Sequence, residues 1–392
     1  MDAPKVSFVV PCYQLAGYLN ECVQSILSQT FTDFELLIMD DCSPDHTEEI
    51  AKSLIDSRIR YIRNESNLGV LRNYNKGITL SKGEYIWLIS ADDYLRSRHI
   101  LQRYINALEK NPHIGYAFCP GISVVDGQET GIIEGSVYGT HDEIVNGHTF
   151  LKTIGKSCSI IAASGMVRRQ CYENIGLFPL DFSLEGTKID LTWAGDWYLW
   201  AVFALFYDVV YFAEPMVCYR QHTLSCTQLI NQQKIENCIL ADIAVPWLIK
   251  QKAETARIPG VHKICLDAIS MEYSRHIFGK QYRSGTWSIT LERFEQSVSR
   301  NTAIEAERLW IKSRTYAWVG DRYYHRGDNV STRRFYWASL KHDAMMPKVY
   351  LKLALMALGK PGNAMRNMLK RSVYKLQAWT RSLGSPLRHL CR

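Results

Sequence analysis

Residues able to do chemistry cluster at the ends of short apolar runs within the first hundred positions. Pro11-Cys12-Tyr13 follows the run 6–10, Asp40-Asp41 closes the run 34–39, and Asp92-Asp93 comes just after the run 85–89. In open α/β sheets, ligands bind outside the carboxyl ends of the strands, at a switch point of the topology. Three such ends, supplying a tyrosine and four carboxylates, therefore make a candidate ligand site. Adjacent carboxylates repel unless a proton or cation intervenes. Mg2+ or Mn2+ held by one or two carboxylates plus diphosphate oxygens is one resolution for Asp92-Asp93, and an exposed helix cap is the other. Asp41 precedes Ser43-Pro44, a pair suited to a helix N-cap and first turn. Its own carboxylate can accept from a base imide N–H of the uracil or thymine kind. Neither G-x-G-x-x-G nor G-x-x-x-x-G-K-[ST] occurs, so bound phosphates need a metal and a cation instead. Arg72 supplies a phosphate-matching fork, with a plain surface arginine as the competing reading.

The elements that must position these residues alternate. Apolar β-rich runs at 6–10, 34–39, 59–62, 85–89 and 114–118 are separated, in several cases, by stretches with helical spacing. That alternation predicts a parallel α/β sheet covered on both faces. Residues 125–149 read as loops and short strands, and 209–212 as a further strand. Beyond about residue 227, helical patterns dominate at 236–253, 265–278 and 302–325. The expected organisation is a catalytic-type domain at 1–228, a helical domain at 229–345 and a basic amphipathic helical tail at 346–392. Gly327-Asp328, Ala338, Asp343 and Pro347 carry a weak tetratricopeptide-like signal, and a single unit of that kind cannot bury its own apolar face.

Composition bounds the possibilities. Of the 392 residues, 47% are hydrophobic and 22% charged, with 24 Gly and 12 Pro. That excludes collagen-like and disordered classes. No apolar run approaches the roughly 18–20 residues of a membrane-spanning helix. Asp2 and Pro11 break any signal-peptide pattern, which places the expected location in the cytoplasm. The 11 cysteines form no C-x-x-C pair, which argues against a disulfide framework or zinc knuckle and for small buried side chains. The net charge of +7 comes from the tail, because residues 344–392 hold ten of the 46 Lys and Arg and none of the 39 Asp and Glu. Placed on a helix, Met365, Met368, Leu369, Val373, Leu376, Trp379 and Leu383 share one face, flanked by Arg366, Lys370, Arg371, Lys375 and Arg381. An apolar stripe with basic flanks describes an interfacial helix on an anionic membrane; packing on the body is the alternative. No nucleic-acid-binding fold accompanies the charge.

Together, VSFVVPCY, SILSQTFTDFELLIMDDCSPDHT, NLGVLRNYNKGI, KGEYIWLISADD and GDWYLW resemble a family 2 inverting glycosyltransferase with the GT-A fold, over about residues 4–226. The resemblance implies a Rossmann-like mixed α/β sheet flanked by helices, with a mostly α-helical C-terminal extension. It implies a metal-dependent enzyme using Mn2+ or Mg2+. Such an enzyme moves a sugar from a nucleotide-sugar donor, UDP or dTDP with GDP as an alternative, to a hydroxyl of a lipid-linked glycan acceptor. The setting implied is bacterial surface-polysaccharide assembly, peripheral on the inner face of the cytoplasmic membrane. By position, Pro11 and Tyr13 resemble the nucleotide-contacting turn and Asp41 the base-reading aspartate. Arg72 falls near the ribose and phosphates, Asp92 and Asp93 in the metal-and-ribose motif, with Asp93 the direct metal ligand. Asp196 matches the catalytic base, and His222 a histidine closing over the diphosphate or metal. Ser164 and Gly165 are expected in the sugar pocket floor, and Trp197 beside the base. Two departures stand out: Ser90 replaces the first Asp of the usual Asp-x-Asp-Asp, and Gly195 an acidic residue before the base. A catalytically silent scaffold of the same fold is the alternative they leave open.

Overall fold

The computed structural model describes residues 3–184, 186–223, 225, 235–282 and 285–358. Strands β1 (Val6–Cys12), β2 (Phe34–Asp40), β3 (Ile59–Arg63) and β4 (Tyr85–Leu88) alternate with helices α1 (Ala16–Leu27), α2 (Thr47–Ser53) and α3 (Val70–Leu80). β1, β2 and β4 are buried throughout, as continuous apolar strands must be when both faces of a parallel sheet are covered. β1 pairs in parallel with β2 on one side and β4 on the other. The topological switch point therefore lies between β1 and β4. Cys12 is level with Asp40, so the turns after β1 and β2 lie side by side.

β5 (Tyr94–Leu95), α4 (Ile100–Glu109), β6 (Ile114–Phe118), β7 (Gly121–Val125), β8 (Gln128–Glu134) and β9 (Glu143–Val145) follow. Next come α5 (Gly147–Ile154), β10 (Met166–Arg168), α6 (Arg169–Ile175), β11 (Asp181–Leu184), β12 (Thr187–Asp190), α7 (Gly195–Phe203), β13 (Asp208–Tyr211) and β14 (Val217–Arg220). The main sheet has eight strands in the order β3-β2-β1-β4-β10-β6-β13-β9. It is mixed, because β10 runs antiparallel to both β4 and β6. A second sheet, β5-β14-β7-β8, stands beside it. In the core, Trp87 stacks on Phe8 and packs against Tyr104. Their polar tips are satisfied: Trp87 Nε1 donates to the Ala163 carbonyl at 2.8 Å and Tyr104 Oη to the Ser164 carbonyl at 2.9 Å. A buried aromatic with a paired tip fixes what it touches, here the chain at 163–164.

Two compact units emerge, one comprising Met1–Glu272 with Gly279–Trp287, the other Tyr273–Phe278 with Ser288–Arg392. The first runs well past the boundary expected at residue 228. Helix α8 (Ile235–Thr255) is the reason, since it is buried on most of its circumference and packs on α7, β11 and β12. Trp193 Nε1 donates to Asp242 Oδ1 at 3.0 Å, which ties it down further. Helix α9 (His262–Phe278) and the hairpin β15 (Lys280–Tyr282) and β16 (Gly285–Trp287) follow.

The second unit holds α10 (Leu291–Asn301), α11 (Glu305–Arg326), α12 (Asn329–His342) and α13 (Pro347–Ala357). Gly327 ends α11 at φ 80° and Asp328 caps α12 by accepting from Ser331 N at 3.0 Å, so the two helices form a tight hairpin. The tetratricopeptide-like signal marks this pair. The tail's expected apolar face, residues 365–383, lies outside the described residues. None of the nine described cysteines is paired, and seven are buried. Among the described residues, no helix is long and apolar enough to cross a membrane.

Candidate functional site

Both acidic pairs divide their labour. Asp40 is fully buried; it accepts from Ser43 N at 2.8 Å, Tyr61 Oη at 2.7 Å and Arg63 Nη1 at 2.5 Å. It is a structural clamp for the turn after β2. Asp41 organises the next loop: Oδ1 accepts from Asn64 Nδ2 and Leu68 N, each at 2.8 Å, and Oδ2 from Gly69 N at 2.9 Å. Two oxygens offer about four acceptor positions, so one remains for a ligand N–H. Gln14 and Cys42 hold φ of 57° and 61°, a left-handed backbone that costs non-glycine residues energy and gathers at functional sites. Pro11 is buried while Tyr13 is exposed at the surface of the same turn.

The second sheet brings the distant motifs together. β5 follows directly on Asp92-Asp93 and pairs with β14, Cys218 level with Tyr94. The residues after β14 thereby meet the acidic pair. Arg220 N donates to Asp93 Oδ1 at 2.9 Å, and Arg220 Nη1 to the Asp92 carbonyl at 2.7 Å. Arg220 also pairs with Glu21 and lies between the rings of Tyr18 and Tyr94, 4.9 and 4.7 Å from their centroids. His222 Nε2 lies 3.0 Å from Asp92 Oδ2. Asp92 Oδ1 and His222 Nδ1 are both buried without a hydrogen-bond partner. Burial, together with the neighbouring Asp92 charge, pushes the Asp93 carboxyl well above the usual range. Two carboxylates and an imidazole with orphaned acceptor atoms suit a hard divalent cation. The described residues whose ligand atoms converge closely enough for one ion are Asp242, Glu272 and His276, and Glu254, His262 and Glu307; Asp92, Asp93 and His222 supply the donor types.

Asp196 occupies the first turn of α7, where Oδ1 accepts from Trp197 N at 2.7 Å. Burial raises its pKa to about 6. Asp93 and Asp196 line one cavity of about 450 Å3, with Glu134, Ser159, Tyr219 and the aliphatic side chains Ile133, Val137, Ile160 and Ile161 among its walls. One carboxylate able to hold a cation and another able to take a proton thus face the same space.

Other expected residues fall elsewhere. Arg72 is exposed and lines a separate cavity of about 360 Å3 with Lys188, Asp181 and Asp190, sharing no residue with the first. Ser164, Gly165 and Trp197 do not line the Asp93–Asp196 cavity. Ser164 is fully buried and donates to the Ile161 carbonyl, while Trp197 Nε1 donates to the Ile154 carbonyl. Gly165 is required for packing, because a Cβ there would sit 2.2 Å from the Trp200 ring. Gly165→Ala should therefore cost about 1–3 kcal/mol in urea unfolding, as overpacked cores do. Arg220, Glu134 and Ser159 were not foreseen. Arg220 lies two residues before His222, yet nothing in a single sequence separates a buried arginine from a surface one.

Comparisons with known proteins bear on the fold and the family. S. aureus TarS, residues 1–349, solved with UDP-GlcNAc, shares the fold at a TM-score of 0.55 and 17% identity, covering 84% of this chain and 90% of that one. An uncharacterized glycosyltransferase of Haemophilus influenzae is 29% identical over 248 residues, 60% of this chain and 71% of its own. Glycosyltransferase GlyG of Streptococcus pneumoniae is 36% identical over 111 residues, only 28% of this chain and 37% of its own length. Residues 7–175, which carry the switch point, the acidic pairs and much of the cavity wall, match the family described as Glycosyl transferase family 2. The mixed sheet thus has a GT-A-like fold, and residues 7–175 form a domain that matches that family.

Proposed function

We propose that this protein is an inverting glycosyltransferase that moves a sugar from a nucleoside-diphosphate sugar to a hydroxyl of a lipid-linked glycan. The observation that carries this reading is the single cavity lined by Asp93 and Asp196. Asp196 takes the proton of the acceptor hydroxyl as that oxygen bonds to the anomeric carbon. On the opposite side the bond to the diphosphate breaks, and its electron pair leaves with the nucleotide. A pKa near 6 suits this role, because the group is ionised at neutral pH and more basic than an ordinary aspartate. An α-linked donor gives a β-linked product.

Asp93, with Asp92 and His222, is the set that would hold Mg2+ or Mn2+; what the ion supplies there is positive charge against the diphosphate. Tyr13 offers an aromatic face for the base, and Asp41 its one remaining acceptor position for an imide N–H. Arg72 would serve the phosphates only by reaching out of its own cavity. TarS was solved with UDP and with UDP-GlcNAc, which supports UDP as the first nucleotide to try, with dTDP and GDP beside it. The basic tail supports an anionic membrane as partner, at the cytoplasmic face.

Calorimetric titration of UDP, dTDP and GDP, each with and without Mn2+, tests the donor half of this reading. Metal-dependent binding of one nucleotide is expected, weakened by about tenfold or more in Asp93→Asn. Failure of the folded wild type to bind any of the three would overturn the proposal.

A further inference from the structure

Helices α12 and α13 are apolar on faces that water should own. Phe335, Tyr336, Leu340, Met346, Val349 and Leu355 already fill the interior of their unit. Yet Val330 is 82% exposed, Trp337 56%, Met345 86%, Leu351 53% and Leu358 55%. On α12, Val330, Arg334, Trp337 and Lys341 recur at spacings of four, three and four, which puts them in one stripe. Leu351 on α13 and Leu358 at its C-cap lie seven apart and are both exposed, with Tyr350 next to Leu351. Met345 lies in the turn between the two helices.

Charge says what this surface is for. From Asn329 to Leu358 there are five basic residues, Arg333, Arg334, Lys341, Lys348 and Lys352, against one acid, Asp343. Lys352 pairs with Asp321 at 2.5 Å and belongs to the body; the other four are exposed. An exposed Trp and Leu stripe set among lysines and arginines, nearly free of acids, matches the chemistry of an anionic bilayer surface. A protein partner of ordinary composition would not require that one-sided charge.

We infer that α12, α13 and the turn between them dock on an anionic lipid surface, with Trp337, Met345 and Leu351 entering the headgroup layer. The basic side chains around them hold the phosphates. This deepens the membrane partner proposed above by moving it from the tail onto folded helices. Its test reads vesicle binding without nucleotide or transfer, so either reading can fail alone.

The test is co-sedimentation of the full chain with vesicles of phosphatidylcholine alone or mixed with phosphatidylglycerol. Binding is expected to the mixed vesicles and to fall as salt screens the charges. Val330→Glu with Trp337→Glu, and separately Tyr350→Glu with Leu351→Glu, should each weaken it by about tenfold or more. Thermal melts check folding; Arg334→Glu with Lys341→Glu, which alters only exposed charges, should show the same loss. Three results would overturn the inference. The wild type could ignore anionic vesicles, or either apolar pair could bind as wild type while Lys370→Glu with Arg371→Glu and Lys375→Glu abolishes binding. Or light scattering could find a dimer that the substitutions dissociate, which would give the face to a second copy of the chain.

Discussion

Asp196→Asn is expected to lower sugar transfer by about 10²–10⁴-fold, the usual worth of a general base, while nucleotide affinity stays unchanged. In the wild type, transfer should fall about tenfold per pH unit below the Asp196 pKa of about 6, because the protonated carboxyl cannot accept the acceptor's proton. The residual activity of the variant should lack that acidic limb. Stability carries the opposite sign. A carboxyl whose folded pKa exceeds its ordinary 3.8 binds its proton more tightly folded than unfolded. Its contribution is therefore fully present below about pH 4 and is lost as pH rises through 6. Asparagine never ionises, so the variant should melt higher than wild type at pH 8 and lose that advantage toward pH 4. Unchanged transfer in Asp196→Asn, or an acidic limb that survives in it, would remove Asp196 from the chemistry.

Arg220→Met should produce the second large effect. It keeps the side chain's bulk but removes the guanidinium held between Tyr18 and Tyr94 and the donor to the Asp92 carbonyl. A charged hydrogen bond and cation–π contacts in a buried setting together predict a loss of about 2–4 kcal/mol in urea unfolding. The turn bearing Asp92 and Asp93 then loses its anchor, so metal-dependent nucleotide binding should weaken in the protein that remains folded. Arg220→Lys should rescue little, because a point charge cannot reproduce the planar fork. A loss below about 0.5 kcal/mol, typical of a surface side chain, with binding intact would show that Arg220 does not support the site.

The sequence was most legible where a residue's surroundings are local. β1, β2, β4 and β6 fall within two residues of the apolar runs that announced them, since a buried parallel strand must be apolar along its whole length; the half-buried edge strand β3 also falls where its run did. The same pattern could not reveal β10, whose three residues slip antiparallel between β4 and β6. Those residues adjoin Ser164 and Gly165, which are buried and lie outside the lining of the Asp93–Asp196 cavity. The acidic pairs were found by their place at strand ends, but a pattern cannot tell Asp40, spent on Arg63 and Tyr61, from Asp41, which keeps an acceptor position. Asp196 was recognisable only through its resemblance to a family motif; its raised pKa comes from burial, which no spacing encodes. Arg220 and the aliphatic wall of the cavity depend on the pairing of β5 with β14 across more than a hundred residues. That long-range register has no local signature.

The proposed sugar-transfer site is the cavity that Asp93 and Asp196 share. Anomalous diffraction from crystals grown with Mn2+ and UDP tests it most directly. A manganese peak is expected against the Asp93 carboxylate, with the diphosphate in the cavity that Asp196 lines. Nucleotide bound instead in the cavity of Arg72 and Lys188, with no ion at Asp93, would contradict it.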